Sequence, residues 1–436
     1  MFLYLYLILA ALYIIHYIKS ERDKILNPPV MYFVGSVIFL YPGALLRDPH
    51  KWQLNESTEW QAFFLIWISI ICVGIGYSKK VISIFINHTG PNHVEKFNRN
   101  IPNTVLISIF ILDIAIKVFL DQDTILGRLN GISIDTENVL GKYLSVLVTI
   151  PTAIGCLAYW FWTNSRSQNM QIRIICILMV LVGIYSLSRT PVFYVIGVNA
   201  FLFTWNRKRL WESIVRKIIL IIIIVLSLPI LTFIAALYKG TNGMVEGAAG
   251  GYEMEFSTAY DYANDKQSEL SVSDVYGNLL FILDNYPTVY SYMPCITCVS
   301  LLTAFVPRSI FEDKPWAVAY HITNQILGAE VYERTGSSLA TSTVGDLWIN
   351  GGWIAVIIGS LILGLIGYCF KYLSDKHGQN SSYHYVYLMS LVMFVLIPRG
   401  DIFSTLFRGM TYLGAAIIAV KATLYFSRRM NILNAK

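Results

Sequence analysis

Eleven stretches of this chain are each long and apolar enough to cross a lipid bilayer, and no other feature constrains the fold as hard. A hydrocarbon core of about 30 Å takes roughly 20 apolar residues in a helix. The runs fall at 1–18, 29–46, 60–78, 103–120, 143–163, 172–188, 190–205, 217–238, 347–370, 383–398 and 403–426. In lipid every backbone N–H and C=O must be paired within its own segment, so such runs fold as helices. Composition agrees: 55% of the 436 residues are hydrophobic and 14% are charged, where a soluble domain carries about 25% charged residues. The expected fold class is an all-α polytopic membrane protein, and a net charge of +6 on so apolar a chain does not point to nucleic acid as a partner. The first run lacks a basic leader and is too long for a signal core, so it reads as a retained helix.

Basic residues set the orientation, because short cytoplasmic loops retain Lys and Arg. Lys19, Arg22 and Lys24, then Lys79, Lys80, Lys96 and Arg99, then Arg166, then Arg207 to Lys217, then Lys371 and Lys376, and last Arg428, Arg429 and Lys436 occupy alternate connections. Those connections are assigned inside, together with the C-terminus. Residues 1–238 then form eight helices, 239–346 a large outer loop, and 347–436 three more helices and a cytoplasmic tail.

The basic residues left on the outer side are mostly arginines at helix ends: Arg47, Arg128, Arg189, Arg308, Arg399 and Arg408. A guanidinium is a planar fork that fits phosphate bidentately, whereas an ammonium is a point charge. Arginines at head-group depth therefore point to a ligand carrying phosphate at the membrane surface. In SLSRTP, residues 186–191, Ser188 or Thr190 suits a helix cap and Pro191 the first turn, so Arg189 stands beside an outward helix N-terminus, where anions bind. IPRGDIFSTLFRG, residues 397–409, repeats the arrangement, with Asp401 expected as N-cap. Arg408, about two turns into that helix, needs a partner at a depth where an unpaired cation costs roughly 2.5–3.5 kcal/mol, and Asp401 is the natural one. Asp113 and Lys117 lie one turn apart within the fourth run in the favourable order, which reads as a neutralising structural pair.

The outer loop opens on a glycine-rich stretch and continues into NLLFILDNYPTVYSYMPCITCVSLLTAFVP, whose apolar segments are too short or too broken to span. They fit short helices on or re-entering the membrane interface. FVPRSIFEDKP, residues 305–315, sets Arg308 and Lys314 on either side of Glu312 and Asp313. His321 is the one histidine of this loop and a candidate general base. Of the six cysteines, Cys72, Cys156, Cys176 and Cys369 sit in apolar runs as small buried residues, and Cys295 with Cys298 forms a CxxC without a second ligand pair. No metal-ligand cluster, cofactor motif, HExxH, Walker A loop or GxSxG is present, so protease, nucleotide-driven pump and ordinary hydrolase readings gain no support.

SLSRTP, FVPRSIFEDKP, STVGDLWINGGWIAVIIGSLILGLIGY (342–368) and IPRGDIFSTL, in this order around one large loop, resemble the Wzy-type O-antigen (oligosaccharide repeat unit) polymerase family over nearly the whole chain. The family commonly has Glu where this chain has Asp346. The resemblance implies a bacterial inner-membrane glycosyltransferase of GT-C-like fold, with a periplasmic loop. It would join undecaprenyl-diphosphate-linked oligosaccharides during lipopolysaccharide biosynthesis, without a cofactor and with a polysaccharide chain-length regulator as a partner. In that scheme Arg189, Arg308, Lys314, Arg399 and Arg408 bind the substrate diphosphates, and His321 or Asp346 takes the proton of the attacking hydroxyl. Two alternatives stay open: an O-antigen ligase using the same donor, and a lipid-linked oligosaccharide flippase, which is expected to show a charged central cavity and paired repeats rather than one large loop.

Overall fold

The structure, a computed structural model, describes residues 26–46, 56–78, 102–120, 149–164, 170–184, 189–206, 275–303, 306, 310–311, 313–327, 339–378 and 381–433. These residues are all-helical, without strands. In chain order the helices are α1 (Pro28–Leu46), α2 (Glu56–Gly76), α3 (Asn103–Leu120), α4 (Thr149–Asn164), α5 (Met170–Ile184), α6 (Arg189–Asn206), α7 (Val275–Asn285), α8 (Ile296–Leu302), α9 (Val318–Leu327), α10 (Thr343–His377), α11 (Ser382–Leu396) and α12 (Ile402–Leu433). The expected spans at 1–18 and 217–238 lie outside the described residues, as does the glycine-rich opening of the loop.

Among the described residues, three helical stretches are long and apolar enough to cross a membrane: Glu56–Gly76, Thr343–His377 and Ser404–Ser427. Shorter apolar helices accompany them. Their outer surfaces agree with a bilayer environment. On α10 the side chains of Ile354, Ile358 and Ile362 are exposed at every fourth position, and on α5 those of Ile174, Ile177, Leu178 and Leu181 form a similar stripe. Apolar stripes of this kind suit hydrocarbon rather than water.

The chain folds as two compact units. The first, from Met1–His93, Ser271–Lys376 and Ser390–Gly409, contains α1, α2, α7 to α10 and the junction before α12. Where both faces of a helix are apolar, burial alone does not pull helices together, and close backbone approach and hydrogen bonds take over. A Cβ on Gly76 would overlap the carbonyl oxygen of Leu361, and one on Gly364 would overlap that of Val73, so α2 and α10 meet backbone to backbone. A buried hydroxyl chain ties the same helices to α1: Tyr32 Oη lies 2.7 Å from Ser69 Oγ, which lies 2.8 Å from Ser360 Oγ. α7 is buried against α1 and α2 through Val275, Tyr276, Leu279, Leu280, Ile282 and Leu283. This segment of the 239–346 region packs as core, because its apolar residues cover nearly its whole circumference.

The apolar run from 347 is not one straight span. A helix begins at Thr343 and breaks at Gly351 and Gly352, the latter at φ 63° and ψ −145°, a region that L-residues avoid. The 343–350 arm doubles back on the 353–377 arm, so that Leu347 fills the space a Cβ on Gly359 would take.

The second unit, from Val94–Leu270, His377–Met389 and Met410–Lys436, packs α3, α4, α5 and α6. Gly155 on α4 and Gly183 on α5 approach so that a Cβ on either would lie 3.1 Å from the other's Cα. Asn199 of α6 brackets one rung of α4: it accepts from the Tyr159 N–H at 2.9 Å and donates to the Gly155 carbonyl at 2.8 Å. Asp113 and Lys117 of α3 are both buried, but neither carboxyl oxygen of Asp113 has a hydrogen-bond partner among the described residues, so the direct neutralising pair expected from their spacing is not seen.

Gly76→Ala is expected to destabilise the protein by about 1–3 kcal/mol through overpacking, read as a lower melting temperature in detergent. Gly74→Ala, two residues earlier with nothing within 4 Å of the new methyl, is expected to leave it unchanged or raise it through helix propensity.

Candidate functional site

Asp346 is fully buried, and its carboxyl is held from three segments. Oδ1 accepts from Thr297 Oγ1 at 2.5 Å and from Asn350 Nδ2 at 3.1 Å. Oδ2 accepts from the backbone N–H of Ile402 at 2.8 Å. Asn350 also bonds the Thr297 hydroxyl (2.6 Å) and accepts from the Thr297 N–H (3.2 Å), so α8 is clamped to the 343–350 arm. The Ile402 N–H is one of the first N–H groups of α12, which have no partner within the helix. Another, that of Ser404, bonds Asp401 Oδ1, so Asp401 is the N-cap of α12. Asp401 is itself buried. Burial pushes its carboxyl above the ordinary range, against the hydrogen bonds from Ser404 and the positive charge of Arg408.

The second residue on the inner face of α8 continues the arrangement. Ser300, one turn beyond Thr297 and also buried, donates to the Trp316 carbonyl at 3.4 Å. The same carbonyl accepts a hydrogen bond from the His321 imidazole. The seven residues of α8 thus join Asp346 on one side to the His321 anchor on the other. His321 is half-buried on α9, edge-on to Tyr320, which stacks on Trp316 with ring centroids 4.4 Å apart. Its Nε2 is buried and has no hydrogen-bond partner, and neither has Oδ1 of Asn324, one turn further along α9. An unsatisfied buried group of this kind costs about 1–3 kcal/mol. Burial lowers the His321 pKa from its ordinary 6.5, although the Trp316 carbonyl opposes the shift.

Sequence reasoning selected His321 and Asp346, and the structure connects them through α8. The geometry gives Asp346 the work of a tie: it is sealed, and both its oxygens are engaged. Lys314 donates to the Val306 carbonyl at 3.0 Å. Arg399 follows α11 in a short 3₁₀ turn, Ile397–Arg399, with its guanidinium carbon 5.9 Å above the Phe39 ring. Arg408 is exposed on α12 and acts on Asp401. Arg189 begins α6 in the second unit, with Thr190 inside the helix; Ser188, the Arg189 side chain and the whole of Arg308 lie outside the described residues. Cys295 and Cys298 are exposed free thiols, and no group of three or more metal-ligating side chains occurs among the described residues.

Thr297, Asn350, Ser300 and Asn324 were not singled out from the sequence. Asn324 had a signal, the i, i+3 spacing from His321 on an amphipathic helix. Thr297 had none, because 49 residues separate it from Asp346. No family model matches the chain, and neither a curated protein nor a solved structure matches it.

Thr297→Val removes a donor from a buried carboxyl and is expected to lower unfolding stability by about 1.5–3 kcal/mol. Thr297→Ser, which keeps the hydroxyl, is expected to stay near wild type in the same denaturation experiment.

Proposed function

We propose that the protein is a membrane glycosyltransferase that polymerises undecaprenyl-diphosphate-linked oligosaccharide repeat units into O-antigen-type polysaccharide. In this reading it resides in the bacterial inner membrane, with the 239–346 loop periplasmic and the C-terminus cytoplasmic. The observation that carries the reading is the His321 imidazole: its ring N–H is anchored on the Trp316 carbonyl, its Nε2 is an unpaired acceptor, and a stacked aromatic pair stands beside it. General base catalysis needs such a lone pair, and aromatic faces suit sugar rings. The apolar helices fit a substrate that is itself a lipid.

In the proposed reaction a hydroxyl oxygen of the incoming unit attacks the anomeric carbon of the growing chain. The bond from that carbon to the diphosphate oxygen breaks, polyprenyl diphosphate leaves with the electron pair, and the hydroxyl proton passes to His321 Nε2. The leaving group is already activated, so no strong acid is required. Arg189, Arg308, Lys314, Arg399 and Arg408 supply positive charge for the diphosphates, stabilising the charge that develops on departure. Asp346 holds α8 and the start of α12 in place.

A strain lacking the gene is expected to carry surface glycan capped at one repeat unit. Full-length polymer in that strain would overturn the reading, and lipid-linked polymer left unattached would indicate a ligase instead. His321→Ala is expected to slow chain extension by about 10²–10⁴-fold, the range for loss of a general base. Because its pKa lies below 6.5, neutral His321 is the main species where a free histidine is half protonated. Activity is therefore expected to hold as pH falls through about 6.5 and to be lost only at lower pH, as measured by polymer formation in membrane preparations.

A further inference from the structure

Two acceptor atoms on one face of α9, His321 Nε2 and Asn324 Oδ1, are closed off from solvent without a partner. The rest of the helix is not short of partners. Thr323 donates to the Ala319 carbonyl at 2.6 Å and accepts from the Leu339 N–H at 2.8 Å, and Gln325 pairs with Tyr286 Oη. The exception is confined to one turn, where the Cβ atoms of residues i and i+3 stand about 5–6 Å apart.

The chemistry of the missing partner follows from the protonation pattern. The His321 ring N–H is committed to the Trp316 carbonyl, so Nε2 carries a lone pair. An amide oxygen also only accepts, and two acceptors do not satisfy each other. What completes the pair is a group presenting two donors a few ångströms apart. The surroundings narrow the class further: Trp316, 38% exposed, stacks nearly parallel on Tyr320 at 17°, a flat apolar wall suited to the C–H face of a pyranose ring.

We propose that Asn324 and His321 form a two-acceptor subsite that binds neighbouring hydroxyl groups on one edge of a sugar ring, with the ring face against Trp316. The subsite rests on the glycosyltransferase reading and deepens it. Asn324 fixes the hydroxyl next to the attacking one, so that the reacting O–H is aimed at Nε2. Orientation of this kind raises the reaction rate as well as affinity.

The test uses the full chain in lipid nanodiscs and free glucose, galactose, mannose, N-acetylglucosamine and rhamnose as probes, with binding read by saturation-transfer NMR. At least one sugar is expected to bind. Asn324→Leu is expected to weaken that binding at least about tenfold, while Asn324→Asp, which keeps an acceptor oxygen, stays within about threefold of wild type. Asn324→Ala, which removes the acceptor without adding bulk, replaces the leucine variant should that one fail to fold. If no probe binds, or if the acceptor-free variant binds like wild type, the subsite is overturned and a trapped water is what fills the pair. Loss of polymer in the deletion strain alongside Asn324-independent binding sinks the subsite alone. Asn324-dependent binding alongside full-length polymer in that strain sinks the polymerase reading alone.

Discussion

A carboxyl group sealed from water is tolerated only where donors surround it, and the candidate site depends on how Asp346 meets that condition. Its three donors come from α8, from its own helical arm and from the head of α12. None of these segments is adjacent in sequence to all the others, so the buried carboxyl acts as a common fastening. Once α8 is fixed through Thr297, Ser300 on the same face is fixed too, and with it the Trp316 carbonyl that orients the His321 ring. The orientation of the imidazole therefore follows from an acid that it does not touch.

Elsewhere in the chain apolar area is plentiful, so small residues and hydroxyls decide which surfaces meet. Gly76 and Gly364 let α2 and α10 touch through their backbones, and the Tyr32, Ser69 and Ser360 hydroxyls give three helices a directional bond that hydrocarbon does not supply. In the second unit Asn199 does comparable work by satisfying both ends of one α4 rung. The isoleucine stripe of α10 faces the other way, which leaves the glycine and serine positions as the inward face of the same helix.

Length and hydropathy made the helices legible in the sequence: the run expected at 103–120 is the helix Asn103–Leu120. The Asp401 cap was legible as well, because an acid directly ahead of an apolar run has one common use. The break at Gly351–Gly352 was hidden, since hydropathy averages over a glycine pair and records nothing about backbone angles. The burial of α7 was hidden for a related reason, because an 11-residue apolar helix reads the same whether it lies on a membrane surface or inside a bundle. For the site, residue chemistry pointed to His321 and Asp346, but nothing local distinguished a sealed, fully hydrogen-bonded carboxyl from an open one. That distinction lies in Thr297 and Ile402, 49 and 56 residues away.

On the proposed reaction, proton transfer and scaffolding place opposite demands on a titratable group, and Asp346 and His321 divide along that line. A tie works best with every oxygen engaged and solvent excluded, which is the condition of Asp346. A base works only with a lone pair left over and with a pKa that keeps it unprotonated at the working pH, and His321 meets both requirements. Arg399 sits three residues before Ile402, whose N–H is bound to Asp346. On the proposed reaction, then, the positive charge that receives the leaving diphosphate and the imidazole that receives the proton are both registered to one buried carboxyl, from opposite sides.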